Sequence, residues 1–141
     1  MNGIELKIHD LLEQSVEYLN NGDLDRLMKM WNNSAILMLP ATPALYGKGS
    51  ISKWLQTHMT LFGCELEIDI GDIKPDGLLA CVSGCFLIHI RNLLDKNLCI
   101  HNGKFLIVMY RNNSDLKDKD KPLWTIYCCC SNSSLPPPSA K

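Results

Sequence analysis

The sequence predicts an α+β domain in which three helices from the N-terminal half pack against one face of a curved antiparallel or mixed sheet, in the order α-α-β-α-β-β-β-β. Three observations carry that prediction. Between Ile4 and Leu19 apolar residues recur at the three-and-four spacing of an amphipathic helix. After Phe62-Gly63 the period switches to two, so that Cys64, Leu66, Ile68 and Ile70 alternate with Glu65, Glu67, Asp69 and Gly71. The third is the stretch His101–Asn113, HNGKFLIVMYRNN, whose segment from Phe105 to Arg111 carries its single charge at the far end. Residues this apolar, branched and aromatic suit a strand buried on both faces, which places it centrally with a cover on each side.

Taken in order, the first helix runs from Ile4 to Asn20, and Asn20-Asn21-Gly22 ends it because Asn and Gly tolerate a left-handed C-terminal conformation. Asp23 is a natural N-cap for a second helix through Trp31, with Leu24, Leu27, Met28 and Trp31 on one face. Ser34–Leu39 reads as a short strand stopped by Pro40, and Ala41–Gly49 as a loop. Ser50 caps a third helix, Ile51–Leu61, whose inward residues are Ile51, Trp54, Leu55 and His58. Pro75-Asp76-Gly77 is a turn, since Pro presets one dihedral and Gly accepts a positive one. Leu78–Asn92, the central run and Leu123–Asn132 complete a meander of long strands, with Asn113–Lys121 as a charged hairpin loop. Residues 1–132 form one domain. The segment Ser133–Lys141, with three prolines after Leu135, cannot continue a sheet and reads as a frayed tail.

A chain of this length can bury roughly two-thirds of its unfolded surface in a single core. With 14 Lys and Arg against 15 Asp and Glu, the net charge of -1 provides no basic surplus for nucleic acid or an acidic membrane, and both are set aside as partners. Glu5 and Asp10 interrupt the N-terminus where a signal peptide needs an apolar core, and no apolar run approaches the ~20 residues of a membrane span. A cytoplasmic protein is expected, and its seven cysteines are expected to be reduced thiols. The N-x-S sequons at Asn32, Asn112 and Asn132 have no role without a secretion route.

Four segments together, Asn20–Asp25 (NNGDLD), Trp31 to Pro40, Gly47–Trp54 (GKGSISKW) and GKFLIVMYR followed by a strand opening on Trp124, resemble the SnoaL-like and ketosteroid-isomerase-like superfamily. The resemblance spans about Ile4 to Asn132 and rests on the order and spacing of the segments. It implies the cone-shaped fold shared with nuclear transport factor 2: a pocket open at one end, between the first helices and the concave sheet, and often a homodimer through the outer sheet face. It implies no particular reaction, because one fold hosts many chemistries. The ketosteroid isomerase base would fall at Leu39, and the oxyanion-hole tyrosine at Ser15. The protonated carboxyl should come from His101–Asn113, which holds no Asp or Glu. The His-Asp pair of many SnoaL-like relatives falls at Cys128 and Cys129 and their following Trp at Ser131, whereas Asn132-Ser133 is kept. The epoxide-hydrolase Asp-Arg-Asp arrangement is not recoverable around Arg91 or Arg111.

The remaining candidates each have a structural alternative. Cysteine metal sites use C-x-x-C spacing, but Cys128-Cys129-Cys130 is contiguous, and on a strand only Cys128 and Cys130 share a face. They read as small buried hydrophobes, with a thiol lining the pocket as the alternative. No cofactor and no metal are expected. His58, His89 and Asp69 are the candidate bases. Each has a plainer role: a packed or surface histidine, an outer-face histidine, and a solvated carboxylate beside Glu65, Glu67 and Asp72. His101, at a strand start, is expected to be exposed. Tyr18, Trp31, Tyr46, Trp54, Tyr110, Cys128 and Asn132 are the candidate ligand contacts, with core packing as the alternative for the aromatics. The leading reading is a cone-fold protein that holds an apolar small molecule in a hydrophobic pocket, with isomerase-, cyclase- or dehydratase-like activity if it is an enzyme. The alternative is a non-catalytic dimerisation or protein-interaction module. A deep pocket with converging polar groups favours the first; an interior filled by Met38, Phe86 and Met109 beside an apolar outer face favours the second.

Overall fold

The computed structural model describes residues 1–112 and 122–134, so the expected loop Asn113–Lys121 and the tail from Leu135 onward lie outside the described residues. Helix α1 spans Gly3–Asn20, and Asn2 caps it with a side-chain oxygen that accepts from the Glu5 amide at 2.9 Å. Helix α2 spans Leu24–Lys29, and Asp23 caps it as expected by accepting from the Arg26 amide. Strands β1 (Trp31–Met38) and β2 (Leu45–Tyr46), helix α3 (Lys48–Leu61), and strands β3 (Phe62–Asp76), β4 (Leu79–Asn92), β5 (Leu98–Arg111) and β6 (Trp124–Ser133) follow among the described residues. They form one six-stranded sheet in the order β2-β1-β6-β5-β4-β3. Neighbouring pairs are antiparallel except β1 and β6, which run parallel.

Several boundaries differ from expectation for tertiary reasons. The second helix ends before Trp31, because the Met30 carbonyl accepts from the Ile126 amide at 2.8 Å and draws the chain into the sheet, where Trp31 pairs with Ile126. The third helix starts at Lys48 without a side-chain cap, placing Ser50 inside its first turn. Gly47 makes the entry: its amide is held by the Ala35 carbonyl at 2.7 Å, and its φ of 90° suits glycine. Strand β2 occupies part of the expected loop, and β5 begins at Leu98, before His101.

Cross-strand rows fix which side chains share a face. One row runs Ile73, Val82, Ile107, Cys129 and Leu37; the next runs Ala80, Met109, Ile126 and Trp31. These residues face Ile8 and Leu12 of α1, Leu27 and Met28 of α2 and Ile51 of α3 in one apolar core. Because every helix of the described residues lies on this concave side, β5 is covered on one face only among them. Phe105, Ile107 and Met109 are buried, whereas Leu106 and Tyr110 on the other face are 47% and 37% exposed. That corrects the expectation of a strand buried on both faces.

Two bulges bend the sheet. Gly71 of β3 and Tyr127 of β6 are the extra residues where the register shifts against β4 and β5. At the β3 edge, the Asn20 carboxamide accepts from the Leu66 amide at 2.8 Å and donates to the Leu66 carbonyl at 2.9 Å, so the end of α1 takes the place of a missing strand.

Candidate functional site

The concave face is the natural place for a ligand, and two phenyl rings occupy much of it. Phe105 of β5 lies across Gly84 of β4, and Phe86 of β4 lies across Gly103 of β5, so that a methyl group at either glycine would meet a ring carbon at 2.7 to 2.8 Å. Glycine is what lets each ring lie flat against its neighbouring strand. With Met109 fully buried beside them, the rings fill the middle of the cone. Met38, the third residue expected to fill the interior, is instead on the outer face, because its parallel partner is Cys130 rather than Cys129.

Few polar groups reach this interior. Ser15, at the place of the ketosteroid isomerase tyrosine, is buried and gives its hydroxyl hydrogen to the Leu12 carbonyl at 2.6 Å, so it is not a free oxyanion donor. Cys129 faces inward between Ile107 and Leu37, and burial, reinforced by Cys128 and Cys130, pushes its thiol from 9.0 up to about 12. A thiol so resistant to ionisation is a poor nucleophile. The indole Nε1–H of Trp31 is the exception: the residue is 8% exposed and this donor has no hydrogen-bond partner among the described residues. Trp31 is thus the one candidate ligand contact that offers an unspent polar group to the interior among the described residues.

The candidate bases do not converge. His58 lies on α3 with its ring stacked on Trp54 at 3.7 Å between centroids and on Phe62 at 6.2 Å. Its Nδ1 is 3.0 Å from the Trp54 carbonyl, which can only accept, so the neutral ring carries its hydrogen there and keeps Nε2 as an acceptor. Asp69 is exposed on the outer face with Glu65 and Glu67, the solvated arrangement. His89 also points outward, opposite Glu65 on one side and Ile100 on the other. His101 is exposed near the start of β5.

The other candidate contacts are similarly dispersed. Tyr18 is half-buried against the core, with the Arg26 guanidinium 6.0 Å from its ring centroid. Tyr46 is 68% exposed on β2, and Tyr110 and Asn132 are on the outer face. Cys128 is there too, half-buried. Apart from the sheet, a depression of about 760 Å³ follows the solvent side of α1 past Asp10, Glu13, Glu17 and Asn20. It does not communicate with any of the candidate bases through a shared residue.

The outer face was the feature least specified by sequence. Across β4, β5, β6 and β1 it presents Leu79, Cys81, Leu106, Val108, Tyr110, Cys128, Cys130, Ile36 and Met38. Single exposed apolar residues are ordinary, whereas these sit side by side on adjacent strands.

No family model matches the sequence, and no curated protein matches it. Solved structures do match in shape. A ketosteroid isomerase-like protein from Erwinia carotovora atroseptica superposes with a TM-score of 0.82 at 14% identity, covering 96% of this chain and 100% of the other. A nuclear transport factor 2-like superfamily protein from Salmonella enterica gives 0.80 at 12% identity over 98% and 96% of the two chains. ActVI-ORFA from Streptomyces coelicolor gives 0.72 at 10% identity over 94% and 98%. At such identities the likeness concerns the fold and not the reaction. With its N-terminal helices held in the concavity of a six-stranded sheet, the chain has the cone fold of the nuclear transport factor 2-like superfamily.

Proposed function

We propose that this chain is a non-catalytic association module that pairs with a second copy of itself through the outer sheet face. The observation that carries the reading is the continuous apolar surface around Leu79, Leu106 and Tyr110, which are 47%, 47% and 37% exposed. Four strands at ~4.8 Å spacing, each about ten residues long, offer roughly 650 Å² per copy, somewhat below the ~800 Å² that each partner contributes to a standard interface. The face also suits self-pairing in charge, with Glu65, Glu67 and Asp69 along the β3 margin and Lys104 and Arg91 nearer the middle. The dispersed bases and the phenyl-filled cone support the non-catalytic half of the reading. The cytoplasm is the proposed compartment, since it keeps the seven thiols reduced.

A second reading, an apolar ligand held inside the cone, is favoured by one observation: the buried Trp31 N–H without a partner. Leaving such a donor unmet costs about 1–3 kcal/mol, which a ligand acceptor or a bound water would recover. The solved structure of similar fold that is described as ketosteroid isomerase-like fits this reading by its name.

Native mass spectrometry of the protein purified from its own source, sprayed gently and then under denaturing conditions, tests both. The association module predicts a dimer without added mass, converted to a monomer by Leu106→Glu with Tyr110→Glu while the circular dichroism spectrum is unchanged. A wild-type monomer at high micromolar concentration would sink the proposal. A small molecule retained in the gentle spray and released on denaturation would transfer the case to the ligand reading.

A further inference from the structure

The parallel pairing of β1 with β6 creates a sulfur cluster that neither strand holds alone. Cys128 and Cys130 lie two residues apart on the outer face of β6, a separation of roughly 6.6 Å along the strand. Directly beside Cys130, at the ~4.8 Å spacing of adjacent strands, stands Met38 of β1, on the same face. Ile36 occupies the corresponding place beside Cys128, and Val108 and Leu106 flank the two cysteines from β5. The three sulfur-bearing residues thus share one face at neighbouring register positions, and Cys128, Cys130 and Met38 are each half-buried. The next thiol, Cys81, is one strand further away, across Val108.

We propose that Cys128, Cys130 and Met38 form a binding site for a soft monovalent metal ion, Cu(I), with two thiolates and one thioether as ligands. Ligand type decides the ion. Thiolate and thioether sulfur select Cu(I), whereas zinc sites take four ligands drawn from thiolate, imidazole and carboxylate. Among the described residues no three His, Cys, Asp or Glu side chains come together, so a four-coordinate zinc site has no further protein ligand here. A three-sulfur set satisfies an ion content with low coordination, and Ile36, Val108 and Leu106 flank it with apolar side chains. On binding, Cu(I) replaces the two thiol hydrogens, forming two Cu–S bonds and releasing two protons to solvent while the thioether donates a lone pair. No electron is transferred. The site does not depend on pairing of the outer face, although a second copy would cover it.

The test is an anaerobic titration of the full chain, reduced and freed of metal, against Cu(I) held by the chromogenic chelator bicinchoninate, with Ag(I) as a probe that does not change oxidation state. Wild-type protein is expected to withdraw one equivalent per chain, and X-ray absorption should report sulfur neighbours only. Cys128→Ser with Cys130→Ser should weaken binding by at least about 100-fold, and Met38→Leu by about tenfold. The variant with Cys81→Ser, Cys85→Ser and Cys99→Ser should keep full stoichiometry. Failure of the wild type to compete, retention of tight binding by the Cys128/Cys130 variant, or its loss in the Cys81/Cys85/Cys99 variant would each overturn the site. Should the Cys128/Cys130 variant fold poorly, Met38→Leu decides, together with the wild-type sulfur count: unchanged affinity with nitrogen or oxygen neighbours refutes the assignment.

Discussion

Adding one methyl group at Gly103 tests the claim that the concave face is filled. An alanine Cβ there would sit 2.7 Å from Cε1 and 2.8 Å from Cζ of Phe86, with the Asn132 carbonyl oxygen closer still. Carbon atoms in favourable contact are about 3.5–4.0 Å apart, so the ring alone would have to retreat by roughly 0.8 Å. Phe86 packs against the core, and the Asn132 oxygen belongs to the β6 backbone paired with β5. Neither yields without disturbing packing or the ladder. Overpacking of this kind costs about 1–3 kcal/mol, and a weakened ladder bond adds about 1 kcal/mol, giving about 3 kcal/mol in total. Urea unfolding followed by circular dichroism measures it, and thermal unfolding should show a fall in Tm of about 10 °C. Gly49→Ala is the control: nothing lies within 4 Å of its Cβ position, and in the first turn of α3 alanine should stabilise by about 0.5–1 kcal/mol. Gly103→Ala within 0.5 kcal/mol of wild type would refute the reasoning, since it would mean the strands and ring have room that the filled cone denies them. The double change Gly103→Ala with Phe86→Leu should recover only part of the loss, because the carbonyl obstruction remains.

Three further outcomes are expected. Asn20→Ala removes both hydrogen bonds to the Leu66 backbone, and should cost about 1–2 kcal/mol in urea unfolding and raise light scattering on heating as the β3 edge is bared. Cys129 ties stability to alkaline pH. Its folded-state pKa of about 12 lies above the 9.0 of the free thiol, so its contribution is complete below pH 9 and is lost progressively as pH rises toward 12, with a slope of up to about 1.4 kcal/mol per unit. In metal-free protein, Cys129→Ala should flatten that part of the curve; an unchanged slope would place its thiol in water. Asn92→Ala removes the side-chain oxygen that accepts from the Leu94 amide at 2.9 Å, and should accelerate hydrogen exchange in the β4–β5 turn while leaving β6 unaffected.

What the sequence could and could not disclose follows from the range of the interactions involved. The β3 alternation is a local pattern, and Cys64, Leu66, Ile68 and Ile70 do face inward while Glu65, Glu67 and Asp69 face water. The Asp23 cap is equally local, needing only a side chain within reach of an amide three residues on. Trp31 is different. The spacing Leu24, Leu27, Met28, Trp31 suits a helix, yet the Ile126 amide, far along the chain, takes the Met30 carbonyl and ends it. The same parallel pairing puts Met38 beside Cys130, and no residue near either announces it. In the interior, Gly84 and Gly103 within strand-like runs did carry a visible signal, because glycine inside a strand marks a close approach. What it could not disclose was the approaching group, a phenylalanine from the neighbouring strand in each case.

The strand order has a consequence for synthesis. A chain leaving the ribosome presents α1, α2 and β1 early, but the long neighbour of β1 is made after every other strand of the described residues. Strands β3, β4 and β5 can zip together through hairpins as they emerge, whereas β1 must wait, with Ala35 and Leu37 uncovered by β6. Strand β6 therefore acts as a keystone inserted at the end, joining β1 to the preassembled three-stranded portion. A nascent chain stalled before Trp124 would carry two unpaired strand margins, on β1 and on β5, and would be a client for chaperones until β6 arrives.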